Sequence, residues 1–405
     1  MRIYYLLSGV LLCALSLPSV ANISVGVRPH YLIEQLAASP LKSRLTSCEQ
    51  KPMKAQSFAI GHRGAPLQFP EHTRESYLAA AKMGAGALEC DVTFTKDAQL
   101  VCRHSQCDLH ATTNILQVPA LAKKCRQPFE PFDAKTGQAA SALCCTADIT
   151  VDEFLSLKGK MDGVNPTATS VAEFVDGTHS WRTDLYAQTG TLMTHQQSIQ
   201  LFQSLGVKMV PELKEPMVEM PFLGLTQSQY ATMLLDEYRQ AGVRWQDVWL
   251  QSFDLSDIDF WLAHPGVPAE QIVWLDGRYE QDTFDANDPA TWQPAMPELV
   301  KRGLKNLAPP IWVLVQLSEQ GKVIPSAYAL AAQSAGLNLI AWTFERSAPS
   351  GPMWYYKSVQ SALRSPSDTL IVLDVLAQQV GVKAVFSDWP ATAAYYANCL
   401  NLHGL

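Results

Sequence analysis

The sequence lacks several features that define large classes of protein. It has no run of basic residues and a formal net charge of -7, so no nucleic-acid partner is expected. No Gly-rich dinucleotide fingerprint follows an early apolar segment, and no internal repeat is found. Beyond its first residues, no stretch is long and apolar enough to span a bilayer, so no stable membrane insertion is expected.

The N-terminus has the pattern of a secretory signal peptide. Arg2 precedes an apolar stretch, and small residues stand at Ser19 and Ala21, which predicts cleavage after residue 21. A transmembrane anchor is the alternative, but the apolar run from Ile3 to Leu17 is short for one. We therefore expect a secreted or periplasmic protein, with residues 1–21 as the signal peptide and 22–405 as the mature chain.

Cysteines are plentiful for an exported chain, and their number after the signal peptide is even. This favours disulfides, because the spacing of the cysteines does not suit a zinc site. Cys48 precedes the first predicted strand and Cys399 follows the last predicted helix, so a bridge between them would tie the chain ends together. The cysteines after residue 21 are Cys48, Cys90, Cys102, Cys107, Cys125, Cys144, Cys145 and Cys399.

Short apolar segments alternate with helical patterns along most of the chain. Alternating strands and helices predict a parallel sheet, and eight such units favour a closed (β/α)8 TIM barrel over an open doubly wound sheet. With 47% hydrophobic residues, the chain has ample material for one such core. The predicted strands are 57–62, 87–94, 207–213, 248–253, 271–276, 311–317, 337–344 and 383–388.

The region from about 105 to 194 interrupts this alternation. It contains four of the cysteines and many Thr, Gly, Asp and Pro residues, together with a capping-box pattern at Thr150 and Glu153. We interpret it as a cysteine-containing insertion after the second strand, lying over one end of the barrel. The mature chain is then a single domain that carries this insertion.

Paired acids in two predicted strands indicate a cation site. In LECDVTF, Glu89 and Asp91 are two residues apart and therefore share a face, and in VPELKEP the same holds for Glu212 and Lys214. Inward-facing acids are costly unless a positive group lies between them, and oxygen ligands suit Ca²⁺ or Mg²⁺. The structural alternatives are exposed acids on an edge strand and an internal Glu–Lys pair.

Two histidines flank this predicted site. His62 ends the first strand in GHRGAPLQFPEHT, and a hairpin through Asp97 and Ala98 would bring His104 back to the same end. Two imidazoles on opposite sides of a phosphate can act as general base and general acid. Arg63 offers a planar guanidinium suited to phosphate, and Lys214 adds a second cation, so a phosphodiester substrate fits the charges.

The stretch IGHRGAPLQFPEHTRESYLAAAKMGAGALECDVTFTKDAQLVCRH resembles the opening of the glycerophosphodiester phosphodiesterase family. PELK, LQSFD, AWTFE and FSDWP are similar to later family motifs, and the resemblance covers about residues 57–390. It implies a (β/α)8 barrel and metal-dependent hydrolysis of glycerophosphodiesters to glycerol 3-phosphate and an alcohol. The implied roles are His62 and His104 as acid–base pair, Glu89, Asp91 and Glu212 as cation ligands, and Arg63, Lys214, Glu71 and Trp342 as substrate-side residues.

The chain also departs from the family pattern. His72 replaces the usual Asn in PEHT, and Ser105 replaces an acid after the second histidine. These departures leave the reaction in place and put the choice of substrate in doubt. Phospholipase-like cleavage of an intact phospholipid and a non-catalytic secreted binding protein are the two alternatives, and the sequence leaves the oligomeric state open.

Overall fold

The computed structural model describes residues 23–182, 185, 189–347 and 353–405. The predicted signal peptide and its cleavage site at Ala21 lie outside these residues. Within the described part, no helix is both long and apolar enough to cross a bilayer.

Eight parallel strands form a closed barrel, as predicted. In spatial order they are β1, β15, β14, β11, β10, β9, β8 and β2, and the pairing of β1 with β2 closes the ring. The strands of the described residues are β1 (Gln56–Gly61), β2 (Ala85–Phe94), β3 (Leu100–Cys102), β4 (Gln127–Glu130), β5 (Ser141–Leu143), β6 (Lys158–Gly159), β7 (Gly190–Thr191), β8 (Lys208–Leu213), β9 (Leu250–Ser252), β10 (Ile272–Leu275), β11 (Asn306–Ala308), β12 (Val315–Leu317), β13 (Val323–Pro325), β14 (Asn338–Phe344) and β15 (Ala384–Ser387).

Helices cover the outside of the barrel, and several begin at capping residues that the sequence shows. The Thr73 hydroxyl accepts from the Ser76 amide at the start of α3, and Thr150 and Glu153 form the predicted capping box at α6. The helices are α1 (Arg28–Gln35), α2 (Pro40–Thr46), α3 (Arg74–Lys82), α4 (Leu109–Thr112), α5 (Pro119–Ala122), α6 (Val151–Ser156), α7 (Val171–Val175), α8 (His195–Leu205), α9 (Gln227–Gln240), α10 (Leu255–Ala263), α11 (Met296–Arg302), α12 (Ile311–Leu314), α13 (Ala327–Ser334), α14 (Thr369–Val375) and α15 (Pro390–Leu400).

The sixth barrel strand lies earlier in the chain than predicted. IWVLVQL (311–317) is not a barrel strand, because it forms the short helix α12 followed by β12, which pairs only with β13. The true strand is β11, which pairs with β10 and β14. All four residues of α12 are buried. An apolar segment that is buried on every side shows no alternation of polar and apolar residues, so the sequence pattern did not distinguish a helix from a strand here.

The barrel has two apolar layers. Small and branched side chains such as Ala87, Val210 and Ile340 fill its interior, and a larger cluster packs the strands against the surrounding helices. This arrangement leaves the polar site residues at the carboxyl ends of the strands, where barrel enzymes place their chemistry.

The insertion has its own small core. Leu109, Phe154 and Phe174 are buried in an apolar cluster that is separate from the barrel core. Disulfides join Cys107 to Cys145 and Cys125 to Cys144, so all four cysteines of the inserted segment pair within it.

Two further disulfides belong to the barrel. Cys90 pairs with Cys102, which holds β3 against β2 in the predicted hairpin. Cys48 pairs with Cys399, as predicted, and so joins the segment before β1 to α15 across 351 residues of sequence.

Candidate active site

The end of β1 places His62 and Arg63 over the barrel axis. Arg63 has φ 55°, and its backbone amide donates a 2.9 Å hydrogen bond to Glu89 Oε2. Gly64 has φ +94°, and a Cβ there would lie 2.3 Å from Ser76 Oγ. Only glycine therefore allows the chain to turn this tightly against the start of α3.

Three buried carboxylates meet at the carboxyl ends of β2 and β8. Glu89, Asp91 and Glu212 each offer an oxygen, and these oxygens lie within 4.8 Å of one another. Asp91 Oδ1 is buried and has no hydrogen-bond partner, which leaves a lone pair free for a ligand. A donor set made only of oxygens, with one buried oxygen unpaired, fits a hard divalent cation.

The acids repel one another strongly. Burial, followed by the charges of Asp91 and Glu212, raises the pKa of Glu89 well above its ordinary range. Burial likewise raises the pKa of Glu212 to about 7, against the opposing charge of Lys214. A bound cation would relieve this repulsion, so the electrostatics also fit a metal site.

Cations surround the carboxylates. Lys214 Nζ contacts Glu212, and Arg63 lies with Nε 3.7 Å from Asp91 and donates from NH1 to Glu71 at 2.9 Å. Glu71 is 1% exposed and lies behind Arg63, outside the walls of the cavity. Its carboxylate therefore orients the Arg63 guanidinium.

The two predicted histidines line one cavity of about 1080 Å³, which also exposes Glu89, Glu212 and Lys214. Burial, with the charge of Arg63 as the next cause, lowers the pKa of His62 to about 4. Burial and the same guanidinium hold the pKa of His104 well below its usual value. In the ligand-free protein, burial therefore favours the neutral form of both imidazoles.

A chain of charged groups runs from His62 into the insertion. His62 Nδ1 lies 2.6 Å from Asp388 Oδ1, and Arg346 NH1 donates to Asp388 Oδ2 at 2.9 Å. Arg346 also lies 3.7 Å from Asp162 Oδ2, whose other oxygen is 2.6 Å from Arg182. Asp162 and Arg182 come from the inserted segment, so the insertion contributes to the charges that surround His62.

His72, which replaces the usual family Asn, takes part in the same network. Its Nε2 lies 2.9 Å from Asp91 Oδ2 and its Nδ1 lies 2.9 Å from the Tyr77 hydroxyl. Burial opposes the ionisation of Asp91, but the interaction with His72 contributes most to a pKa held well below the ordinary value. His72 therefore orients the Asp91 carboxylate and does not itself line the cavity.

The structure brings the sequence-predicted residues together around one cavity. His62, Arg63, Glu89, His104, Glu212, Lys214 and Trp342 line it, and Asp91 and Glu71 contact Arg63 from behind. The Trp342 side chain is held in place by its indole N–H, which donates to the Ala308 carbonyl at 2.8 Å.

Several further residues of the site escaped the sequence reasoning. Asp388 and Arg346 contact each other beside His62, and Gln251 donates to Glu89 Oε1 at 3.0 Å. Arg103 is fully buried and donates to the Glu71 carbonyl. FSDWP and LQSFD contain Asp388 and Gln251 at the ends of predicted strands, and that position was the available signal.

Comparison with known proteins agrees with this geometry. The Glycerophosphoryl diester phosphodiesterase family model matches residues 62–392. The chain belongs to this family. It is therefore a phosphoric diester hydrolase with the TIM-barrel fold of this family.

The chain is similar to proteins of distant organisms. An "Extracellular protein" of Arthroderma benhamiae is 45% identical over 249 residues, which are 60% of this chain and all of that protein. Glycerophosphodiester phosphodiesterase 1 of Bos taurus is 30% identical over 142 residues, which are 32% of this chain and 42% of the bovine protein.

A solved structure shares the fold. A Silicibacter pomeroyi protein assigned as a glycerophosphoryl diester phosphodiesterase superposes with a TM-score of 0.55 and 17% identity. The superposition covers 89% of this chain and 98% of the other. At this level of identity the likeness concerns the fold alone.

Proposed function

We propose that the protein hydrolyses glycerophosphodiesters to glycerol 3-phosphate and an alcohol, with His62 and His104 as the acid–base pair. The observation that carries the proposal is that both histidines line the cavity into which the carboxylate cluster opens. A phosphodiester is a poor electrophile, so its hydrolysis needs proton transfer at both the entering and the leaving oxygen.

Glu89, Asp91 and Glu212 would hold a divalent cation, Ca²⁺ or Mg²⁺, since every donor is an oxygen. When bound, such a cation neutralises charge on the phosphate oxygens. Arg63 and Lys214 supply the remaining positive charge, and the charges of carboxylates, cation, phosphodiester and the two side chains then cancel. A dianionic or neutral ligand would leave this site with an unbalanced charge.

The partners of His62 favour the role of general base. Asp388 accepts the Nδ1 proton, which leaves the Nε2 lone pair on the side of Glu89, 3.8 Å away, where the cavity opens. His62 would take the proton from the attacking oxygen, and His104, protonated in the complex with the anionic phosphodiester, would give one to the departing alkoxide. His62 would then release its proton to solvent and His104 would take one up, which restores both residues. Trp342 would contact the alcohol, and Glu71 would orient Arg63.

We also propose that the protein is exported, with residues 1–21 removed and 22–405 folding as one domain with the insertion at about 105–194. Four disulfides support an oxidising compartment. The name of the Arthroderma benhamiae relative, "Extracellular protein", is consistent with export. N-terminal sequencing of secreted protein should start near Asn22, and an intact Met1 would contradict export by cleavage.

A product assay tests the reaction. Chelated enzyme should be inactive on glycerophosphodiesters and regain activity with Ca²⁺ or Mg²⁺, with glycerol 3-phosphate as a product. An intact phospholipid in the same panel tests phospholipase-like cleavage. Full activity in excess chelator would contradict the cation assignment, and turnover of the phospholipid alone would replace the proposed substrate.

A further inference from the structure

One side of the cavity is built from aromatic rings, which we call the aromatic wall: Phe253, Tyr279, Trp342, Trp354 and Tyr355. Their ring centroids are 4.9–6.1 Å from those of their neighbours in the wall, in edge-to-face and stacked pairs. Trp354 is 39% exposed and Phe253 38%, although large apolar side chains usually avoid water. Rings that remain open to a cavity are available to a ligand.

The aromatic wall begins next to the phosphate end of the cavity. Lys214 Nζ lies 5.9 Å from the Phe253 ring centroid, and the Phe253 ring lies edge-on to Trp342 at 5.9 Å. A group linked to a phosphate beside Lys214 by a short carbon chain would therefore reach the rings. This position corresponds to one of the two ester groups of the phosphodiester.

The charges of the cavity favour a cation at this wall. Glu215, Asp254 and Glu280 line the cavity in addition to the metal cluster, and Glu280 follows Tyr279 of the aromatic wall directly in the chain. Arg278 also lines it, but its guanidinium is paired with Asp276 at 2.7 Å. Among the described lining residues, the other lysine and arginines belong to the phosphate end, so carboxylates dominate elsewhere.

One ring of the aromatic wall already lies near a cation of the chain itself. Lys357 Nζ lies 3.6 Å from the Trp312 ring centroid and 5.6 Å from that of Trp354. Trp312 in turn packs edge-on against Trp354 and Tyr279. The folded protein therefore already places a positive group near the rings of Trp312 and Trp354.

We propose that the aromatic wall binds a quaternary ammonium group, so that the preferred substrate is a glycerophosphodiester whose alcohol is choline-like. The inference rests on the proposed function and names the alcohol. A primary ammonium needs hydrogen-bond acceptors in place of its water, whereas a trimethylammonium needs only ring faces and nearby negative charge. The Trp342 indole N–H is already bonded to Ala308, so that ring offers its face to a ligand.

Steady-state kinetics on matched substrates test this proposal. Glycerophosphocholine is compared with the neutral isostere in which a tert-butyl group replaces the trimethylammonium, and glycerophosphoglycerol serves as the reference. The wild-type kcat/KM for the choline ester should exceed that for the isostere by about tenfold, within the range expected of cation–π contacts. Tetramethylammonium should compete with glycerophosphocholine.

Two variants of one residue provide the matched control. Trp354→Leu should reduce the preference for the choline ester over the isostere to about twofold or less, whereas Trp354→Phe, which keeps a ring, should retain most of it. Glu280→Gln should lower the preference without changing the apolar surface. The two substrates differ only in the charge of the headgroup. The ratio of their kcat/KM values is therefore insensitive to a general loss of activity.

The outcomes separate this inference from the proposed function. Equal kcat/KM for the choline ester and its isostere in the wild type would overturn the ammonium site while leaving glycerophosphodiester hydrolysis intact. If Trp354→Leu lowered kcat/KM equally for the choline ester and its isostere, the aromatic wall would provide apolar contact only, and the ammonium site would be overturned. No turnover of any substrate, glycerophosphoglycerol included, would overturn the proposed function and this inference with it.

Discussion

Asp388 Oδ1 lies 2.6 Å from His62 Nδ1, although the two residues are 326 positions apart in the chain. They meet because β1 and β15 are neighbours in the closed barrel, where the His62 amide also donates to the Ser387 carbonyl at 3.1 Å. A buried carboxylate at this distance fixes the imidazole tautomer and the ring orientation. Asp388 is therefore a positioning residue for His62.

Asp388→Asn should lower kcat while leaving KM nearly unchanged. The loss should be at least about tenfold and no more than the about 10²–10⁴-fold that a general acid–base group contributes. In a His62→Ala background the same change should have little further effect, because residues that act as a unit are not additive. Kinetics of the two single variants and the double variant measure this, and fully additive losses would contradict the pairing.

His104→Ala should be rescued by a better leaving group. The variant should lose about 10²–10⁴-fold in kcat on a glycerophosphodiester and recover much of it on a nitrophenyl phosphodiester, which needs no protonation of its leaving oxygen. His62→Ala should recover little on the same substrate. The reverse pattern would exchange the two roles, and near wild-type kcat in both variants would remove the mechanism.

The insertion should influence catalysis through Asp162. Asp162→Asn removes the charge that faces Arg346 and Arg182, so we expect kcat to fall by about three- to tenfold. Glu153→Gln is the matched control, because Glu153 is an acid of the same inserted segment that pairs with Lys124, and neither residue lines the cavity. Equal effects of the two changes would show that Asp162 acts only on stability.

Cation affinity should rise with pH through about 7. Burial raises the pKa of Glu212 to about 7 and that of Glu89 well above its ordinary range, so at lower pH the ligand-free site holds protons that a cation must displace. Binding measured by calorimetry should be several-fold weaker near pH 6 than near pH 8 and should release protons. Glu212→Gln should weaken binding at both pH values, and pH-independent binding would contradict this account.

The bridge between Cys48 and Cys399 should stabilise the whole barrel. It closes a loop of 351 residues of sequence separation, so replacing both cysteines by Ala should lower the free energy of unfolding by about 2–5 kcal/mol. Replacing Cys125 and Cys144, which are separated by 19, is the control and should cost less. Urea unfolding of both variants measures the difference, and a larger loss in the control would contradict it.

Much of the site was predictable from strands read one at a time. Glu89 and Asp91 share a face because side chains alternate along a strand, and the turn at Ala98 returns β3 toward β2 through local hydrogen bonds. Such information lies within a few residues of sequence. The misplaced sixth strand shows the limit, because the apolar run from Ile311 is buried on every side and β11 is only three residues long.

The sequence by itself determined the barrel class, the acid pairs and the two histidines, since period-two patterns and alternating strands and helices are local properties. Only the tertiary structure decided that Asp388 supports His62, that Asp162 reaches Arg346 from the insertion, and that the rings of Phe253, Trp342 and Trp354 form one wall. These contacts join residues far apart in the chain. The closure of the barrel creates them, and no local pattern encodes which side chains at distant strand ends make contact.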